Sequence, residues 1–362
     1  MKKLTLLFIL FSQISFAQSN LAKEVIEKIE FEADTIQSVF SWVTQNIKYD
    51  VHKLLKREAT PKSKRLTTYK SMEEKRTILF KEVVRKKKGV CEDYSILFDV
   101  IVQELGYESF IISGYTKNAR GKLSSSIGHT WNAVKVNNKW KLYDPTWGAG
   151  VVNEKKRFEK KYNAKWFEID PEEMIISHIP YDPIWQLRAE PMSYKDFEEG
   201  ISTVKSTKLY EPEQAIDDYL AKDQTARLKA QLDRSLALGK GAGAMTRWRK
   251  NLAQRLKNKD LNKKVDTLNQ AGDKFNAASN LFNDFVIAQK KKFKGSNHSI
   301  GNIREKLIKA KTNATSALAT FESVSIKEPK RKRSLKDAVS TTKKLISNID
   351  RALNYLDQKD PN

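Results

Sequence analysis

Apolar residues recur along this chain in two rhythms, and the change between them divides it. In GVCEDYSILFDVIVQELG, Gly89 to Gly106, they fall at Tyr94, Leu97, Phe98, Ile101, Val102 and Leu105. That three-and-four spacing is the buried stripe of a helix, and Gly106 is its natural C-terminal stop. Ile36, Val39, Phe40, Val43 and Ile47 predict a second helix upstream, and Thr77 to Val84 a short one between them. The rhythm then shortens to two. His129 to Val136 and Trp140 to Asp144 read as strands joined at Asn137-Asn138, a pair that tolerates the positive φ values of a two-residue hairpin turn.

From about residue 206 the pattern is helical throughout. Leu261, Val265, Leu268, Gly272, Phe275, Ser279, Phe282 and Val286 alternate by fours and threes. So do Ile303, Leu307, Ala310, Ala314, Ala317 and Phe321, and, with one shift of phase, Leu335 to Leu356. A weaker helix is expected over Pro212 to Leu238, with breaks at GKGAG near Gly239, KGSNHS near Gly295 and KEPKRKR near Pro329. Three or four long helices on a 3.5-residue repeat predict an antiparallel bundle or coiled-coil hairpins. The expected fold class is therefore α+β, a helix bearing the cysteine packed on an antiparallel sheet, followed by an all-α unit. The expected divisions are 18–205 and 206–362.

The first residues, MKKLTLLFILFSQISFAQSN, have the form of a secretory signal: two lysines, an apolar run from Leu4 to Phe11, and small residues before a cleavage point after Ala17. Residues 1–17 are thus expected to be removed and the chain exported, to a periplasm or outside the cell. The apolar run is shorter than the ~20 residues that span a bilayer, and no later segment qualifies. Cys91 is the only cysteine. In an oxidising compartment a lone thiol is a buried small hydrophobe, an intermolecular cross-link or a working group.

Position separates these. At the first turn of a helix, unpaired N–H groups and the helix dipole favour a thiolate. With a two-residue turn, Trp131 faces Asp144, and His129 lies on the same sheet face, diagonally offset by two residues. Such a diagonal is within reach of an imidazole–carboxylate hydrogen bond. A four-residue loop would set the two directly opposite, and a three-residue loop would put them on opposite faces. A thiolate, an imidazole that takes and returns its proton, and a carboxylate that fixes the imidazole form a nucleophilic set. The order here is Cys91, His129, Asp144.

GVCEDYSILF and GHTWNAVKVNNKWKLYDPTWG, and more loosely FSWVTQNIKYD, resemble the transglutaminase-like superfamily of papain-fold cysteine enzymes. WFEIDPEEMIISHIPYDPIWQL is similar to the segment that follows the core in the branch related to cytokinesis and kyphoscoliosis-peptidase members. The resemblance covers roughly residues 35 to 200 and implies Cys91 as nucleophile, His129 as base and Asp144 as orienting acid. It implies amide chemistry through a thioacyl enzyme, resolved by water in a peptidase or amidase and by an amine in an acyltransferase. Some branches lack a triad residue and serve as binding scaffolds, which is the alternative here. A second oxyanion-hole donor is expected from Trp42, Gln45 or Tyr49, and Trp131, Trp147 and Tyr94 are candidates for lining a substrate cleft. The substrate would be a protein or peptide, with no cofactor.

Charge adds a partner. Of the formal net +23, most lies in residues 206–362, with about 33 Lys/Arg against about 17 Asp/Glu. In an exported chain this suits an anionic cell-envelope polymer or an acidic protein, or only a solvated surface, and argues against nucleic acid, for which no base-stacking aromatic series is present. Lys86-Lys87-Lys88 beside the cysteine is either a solvated loop or a cation cluster that favours the thiolate. GKGAG follows a helix and lacks the lysine-serine end of a phosphate loop. Histidines 52, 129, 178 and 298 have no ligand spacing, so no metal is expected, and His178 is expected to be structural or to line the cleft.

Overall fold

The computed structural model describes residues 16–59, 71–118, 120–123, 128–201, 211–295 and 298–359. Residues 1–15 of the expected leader, and part of the loop before His129, lie outside these. Among the described residues no helix is long and apolar enough to cross a membrane. The chain divides into two compact units, Met1–Ala253 and Gln254–Asn362.

The helices of the first unit are α1 (Phe16–Ile26), α2 (Thr35–Asn46), α3 (Val51–Ala59), α4 (Met72–Lys86), α5 (Cys91–Glu104), α6 (Pro145–Ala149), α7 (Pro171–Ser177), α8 (Tyr194–Glu199), α9 (Pro212–Leu220) and α10 (Gln224–Ala237). Its strands are β1 (Lys48–Tyr49), β2 (Lys88–Gly89), β3 (Ser109–Thr116), β4 (His129–Val136), β5 (Lys139–Tyr143), β6 (Gly150–Val152), β7 (Phe158–Lys160) and β8 (His178–Pro180). The main sheet is antiparallel throughout, in the order β5-β4-β3-β8. This is the mixed α+β class that the sequence predicts.

The β4–β5 turn has two residues, Asn137 at φ 49° and Asn138 at φ 61°. Both lie in the left-handed region that a type I′ hairpin requires. Val136 pairs with Lys139, Lys135 with Trp140 and Asn132 with Tyr143, so the expected register holds and Trp131 comes opposite Asp144. Beside this sheet runs α5, almost wholly buried, sharing its core with α1, α2 and α4 through Val25, Phe40, Phe80, Leu97, Phe98 and Ile101. Burying an unpaired carboxylate is costly, and α5 buries two with partners. Asp93 takes Lys53 at 2.7 and 2.9 Å, and Asp99 takes Arg76 at 2.6 and 3.2 Å.

Gln18, Ala22 and Val25 of α1 are buried as well, with Gln18 Oε1 accepting from Thr77 Oγ1 at 2.8 Å. The expected cleavage point thus falls just before a residue already inside the fold.

Two expectations are corrected. The helix predicted over 212–238 is two helices, because Asp223 caps a new start by accepting from the N–H groups of Thr225 and Ala226 at 2.7 and 2.9 Å. These helices also belong with the sheet, so the division lies at 253/254 and not at 205/206. Ile216 and Tyr219 join the main core, where Phe110 stacks on Trp185 at 4.3 Å, and Arg234 holds Asp182 at 2.7 and 2.8 Å.

In the second unit α11 (Gly243–Lys290, beginning in the first), α12 (Ile300–Ser323) and α13 (Pro329–Lys359) pack as long helices. All six positions of the stripe predicted on α12 are buried. On α11 the predicted large residues flank the seam, while Ala271, Ala278, Phe285 and Ala288 lie at its centre.

Candidate active site

Cys91 opens α5. Val90, extended at φ −96° and ψ −178°, has no side-chain oxygen to cap the helix; instead its N–H donates to Asp93 Oδ2 at 2.7 Å. That bond and Lys53 hold the Asp93 carboxylate on the Val90 side of the turn. The free thiol is buried at 7% exposure, with His129 and Thr130 of β4 within hydrogen-bonding reach of its sulfur. Burial pushes the thiol up, but the His129 hydrogen bond and charge, Thr130 and the Arg57 charge together bring it below the ordinary value.

Asp144 sits between β5 and α6, completely buried. Its Oδ1 accepts from the N–H groups of Thr146 at 2.9 Å and Trp147 at 3.0 Å, which makes it the N-cap of α6. Its Oδ2 accepts from His129 Nε2 at 2.7 Å and from His178 Nε2 at 3.1 Å. Burial alone would raise this carboxyl; the two histidines overcome it and hold it ionised, well below the usual range. For His129, burial favours the neutral ring but is outweighed by Asp144 and then by Cys91, and the imidazole is pushed up to about 10. His178 goes the other way, down to about 4, because burial and the His129 charge outweigh Asp144.

Indoles enclose the two rings. Trp131 stacks by His129 at 6.0 Å, while Trp147 and Trp166 lie 4.4 and 5.2 Å from His178. Gly114 on β3 makes this possible, since a Cβ there would lie 2.5 Å from Trp131 and 2.2 Å from the Ile179 carbonyl oxygen. Donor atoms of His129, Asp144 and His178 fall within 4.8 Å of one another. Asp144 Oδ2 is already the acceptor of two N–H groups, so a cation there would have to displace both.

The structure thus brings Cys91, His129 and Asp144 together and adds His178, which sequence reasoning set aside as structural or cleft-lining. Trp147 is half-buried beside the histidines, as a cleft residue should be. Trp131 is 1% exposed and backs the site. Tyr94, expected to line a cleft, is a core residue: it is fully buried and its hydroxyl donates to the Ile47 carbonyl at 2.7 Å. Among the oxyanion candidates, Trp42 lies under Lys87 Nζ at 4.7 Å, Gln45 is exposed and offers its carbonyl to Lys160, and Tyr49 packs between Tyr94 and Phe158. Trp42 and Tyr49 thus make packing contacts, and the contact at Gln45 is through its backbone. Lys86 and Lys88 are paired with Glu82 at 3.5 Å and Asp50 at 3.8 Å, and the basic side chain that lowers the thiol, after His129 and Thr130, is Arg57 of α3.

Residues 17–169 match the family model described as a transglutaminase-like domain. The chain carries a transglutaminase-like domain. Kyphoscoliosis peptidase of Mus musculus is 26% identical over 190 residues, 51% of this chain and 26% of that protein. Hillarin of Drosophila melanogaster is 30% identical over 134 residues, 32% of this chain and 16% of that protein. The chain therefore spans about a quarter or less of the length of these curated relatives. A solved structure described as a TGase aligns at 21% identity with a TM-score of 0.26, over 38% of this chain and 34% of that one. The cysteine helix and the histidine hairpin both fall inside the transglutaminase-like domain.

Proposed function

We propose that the transglutaminase-like domain is a cysteine-dependent amide hydrolase or acyltransferase of an exported protein, with Cys91 as nucleophile, His129 as base and then acid, and Asp144 as the group that orients the imidazole. The observation that carries this reading is the chain of contacts from thiol to imidazole to a buried, ionised carboxylate, with His129 Nε2 to Asp144 Oδ2 at 2.7 Å. Because Nε2 is engaged by Asp144, Nδ1 is the nitrogen left for the thiol. The thiolate attacks an amide carbonyl, the His129 imidazolium protonates the leaving amine, and water or a second amine releases the acyl group from sulfur. The Cys91 backbone N–H, at the first turn of α5, is one donor for the oxyanion. Kyphoscoliosis peptidase, by its name, is a relative with peptidase activity.

An activated ester tests this without knowledge of the natural substrate. With p-nitrophenyl acetate, a burst of p-nitrophenolate stoichiometric with protein and an acetyl adduct on Cys91 are expected. Both should vanish in Cys91→Ala and fall at least ~100-fold in His129→Ala. A burst unchanged in Cys91→Ala would remove the proposal. Adding glycylglycine then separates transfer from hydrolysis by the product formed.

For the second unit, one feature favours an acidic polypeptide partner. A groove of about 830 Å³ between the end of α12 and the start of α13 is lined by apolar Phe321, Ile326, Leu335 and Val339, by Lys332, Lys336 and Lys344, and by Glu322, which Lys343 neutralises at 2.8 Å. An apolar lining with a surplus of lysines suits acidic side chains interspersed with apolar ones. A labelled Glu/Leu peptide should bind and lose affinity in Lys332→Glu/Lys336→Glu; binding indifferent to that change would refute the site.

A further inference from the structure

His178 lies on β8, some fifty residues beyond the histidine of the proposed triad in sequence, yet it donates to the same carboxylate oxygen. Asp144 is an ionised acceptor, so the His178 nitrogen facing it, Nε2 at 3.1 Å, must carry a hydrogen. The ring is neutral, so Nδ1 is bare and accepts from Ser177 Oγ at 2.8 Å. One tautomer is thereby fixed from both ends. Among the described residues the titratable groups that act on this ring are Asp144 and His129, and the rings of Trp131, Trp147 and Trp166 pack against it.

We infer that His178 is a positioning residue which, by donating its Nε2–H to the Asp144 oxygen that also receives His129, tempers the proton affinity of the His129 imidazole. This rests on the proposed reading of Cys91, His129 and Asp144. The carboxylate does not need His178 to hold its place, since Oδ1 is fixed by the backbone N–H groups of Thr146 and Trp147. What His178 changes is how much of Oδ2 is left for His129. A carboxylate given to one imidazolium alone makes it a weak acid, poorly suited to protonate a leaving amine near neutral pH. A second donor on that oxygen weakens the grip, so the imidazolium gives up its proton more readily than it would beside an unshared carboxylate.

The test is histidine-selective 15N NMR on the full chain, which has only four histidines, in wild type, His178→Phe and His178→Gln. In wild type one ring should stay neutral and Nε2-protonated from about pH 5 to about pH 9, and its signals should disappear in His178→Phe. In His178→Phe the His129 midpoint should rise by about one pH unit, and the glutamine amide, which can donate to the same oxygen, should restore it. A purely structural His178 would lower the melting temperature without moving that midpoint. The inference is overturned by an Nδ1-protonated His178, by its titration near the ordinary value, or by an unmoved His129 midpoint in folded His178→Phe. If His178→Phe does not fold, the wild-type tautomer and the His129 midpoint in His178→Met, a smaller non-donor, decide: an unmoved midpoint there overturns the inference. Cys91 alkylation by iodoacetamide, run alongside, separates the two readings. An ordinary wild-type thiol sinks the proposed chemistry itself, whereas a reactive thiol with an unmoved midpoint sinks only the role of His178.

Discussion

Gly114 shapes the site by contributing no side chain. A methyl group on it would meet the Trp131 ring and the Ile179 carbonyl at 2.5 and 2.2 Å, and the carbonyl belongs to a paired strand that cannot move cheaply. Gly114→Ala should therefore cost about 1–3 kcal/mol by urea unfolding, the usual penalty for overpacking, and should slow Cys91 labelling by displacing Trp131 from behind His129. Unchanged stability would mean that the β3–β8 edge gives way more easily than its register implies. At this scale the sequence exposes some contacts and hides others. His129 and Asp144 are fifteen residues apart across one hairpin, so local spacing places them. His178 reaches Asp144 from thirty-four residues further on, through a strand pairing with no local periodic signal. The sequence clue was Ser177 next to His178, a hydroxyl able to fix a ring, but that clue names no acceptor. Tyr94 was misplaced for a related reason. Three residues after Cys91, it shares a helix face with the thiol, and only the packed structure shows its hydroxyl turned to Ile47.

Among the elements, the β4–β5 hairpin sets the site's geometry. Its two asparagines adopt left-handed backbone at φ 49° and 61°, and a one-residue slip would send His129 and Asp144 to opposite faces of the sheet. Asn138→Val, β-branched in a left-handed position, should cost about 1–2 kcal/mol; Asn138→Gly should be neutral or slightly stabilising and leave labelling of Cys91 intact. Equal stability of the two variants would contradict the type I′ turn. This hairpin, α2 and α5 were legible because each carries a clear apolar period, with an Asn-Asn turn inside the hairpin and a glycine stop after α5. The break between α9 and α10 was not, because Asp223 caps a helix inside what still reads as one apolar stripe. The seam of α11 was off by about one position, since large apolar residues dominate a sequence pattern while alanines mark where helices approach most closely.

For the whole molecule, the division at 253/254 was hidden because periodicity shows that a helix has a buried face but not what it buries that face against. All seven tryptophans lie in the first unit, so their fluorescence reports on that unit alone. Its pH dependence follows from the site. Below the ordinary histidine value of 6.5, unfolded His178 takes a proton that the folded ring refuses until about 4. Stability should therefore fall as pH drops from about 6.5 toward about 4, by up to ~1.4 kcal/mol per unit. Above 6.5 the raised His129 and the lowered Cys91 act in opposite directions, since the first loses its contribution as pH rises toward about 10 and the second gains its own as pH rises toward 9.0. In Cys91→Ala that opposition is removed, and tryptophan-monitored stability should decline more steeply above 6.5 than in wild type. An equal slope in the two proteins would refute the coupled pair.

The most direct measurement is the rate of Cys91 alkylation by iodoacetamide against pH, read by intact mass in wild type and His129→Ala, both checked for folding by tryptophan fluorescence. With a single cysteine, every thiol adduct reports on that residue. A thiolate paired with imidazolium should label fast well below the free-thiol value of ~8.5 and lose that advantage in His129→Ala. A profile rising only near ~8.5 and indifferent to His129 would contradict it.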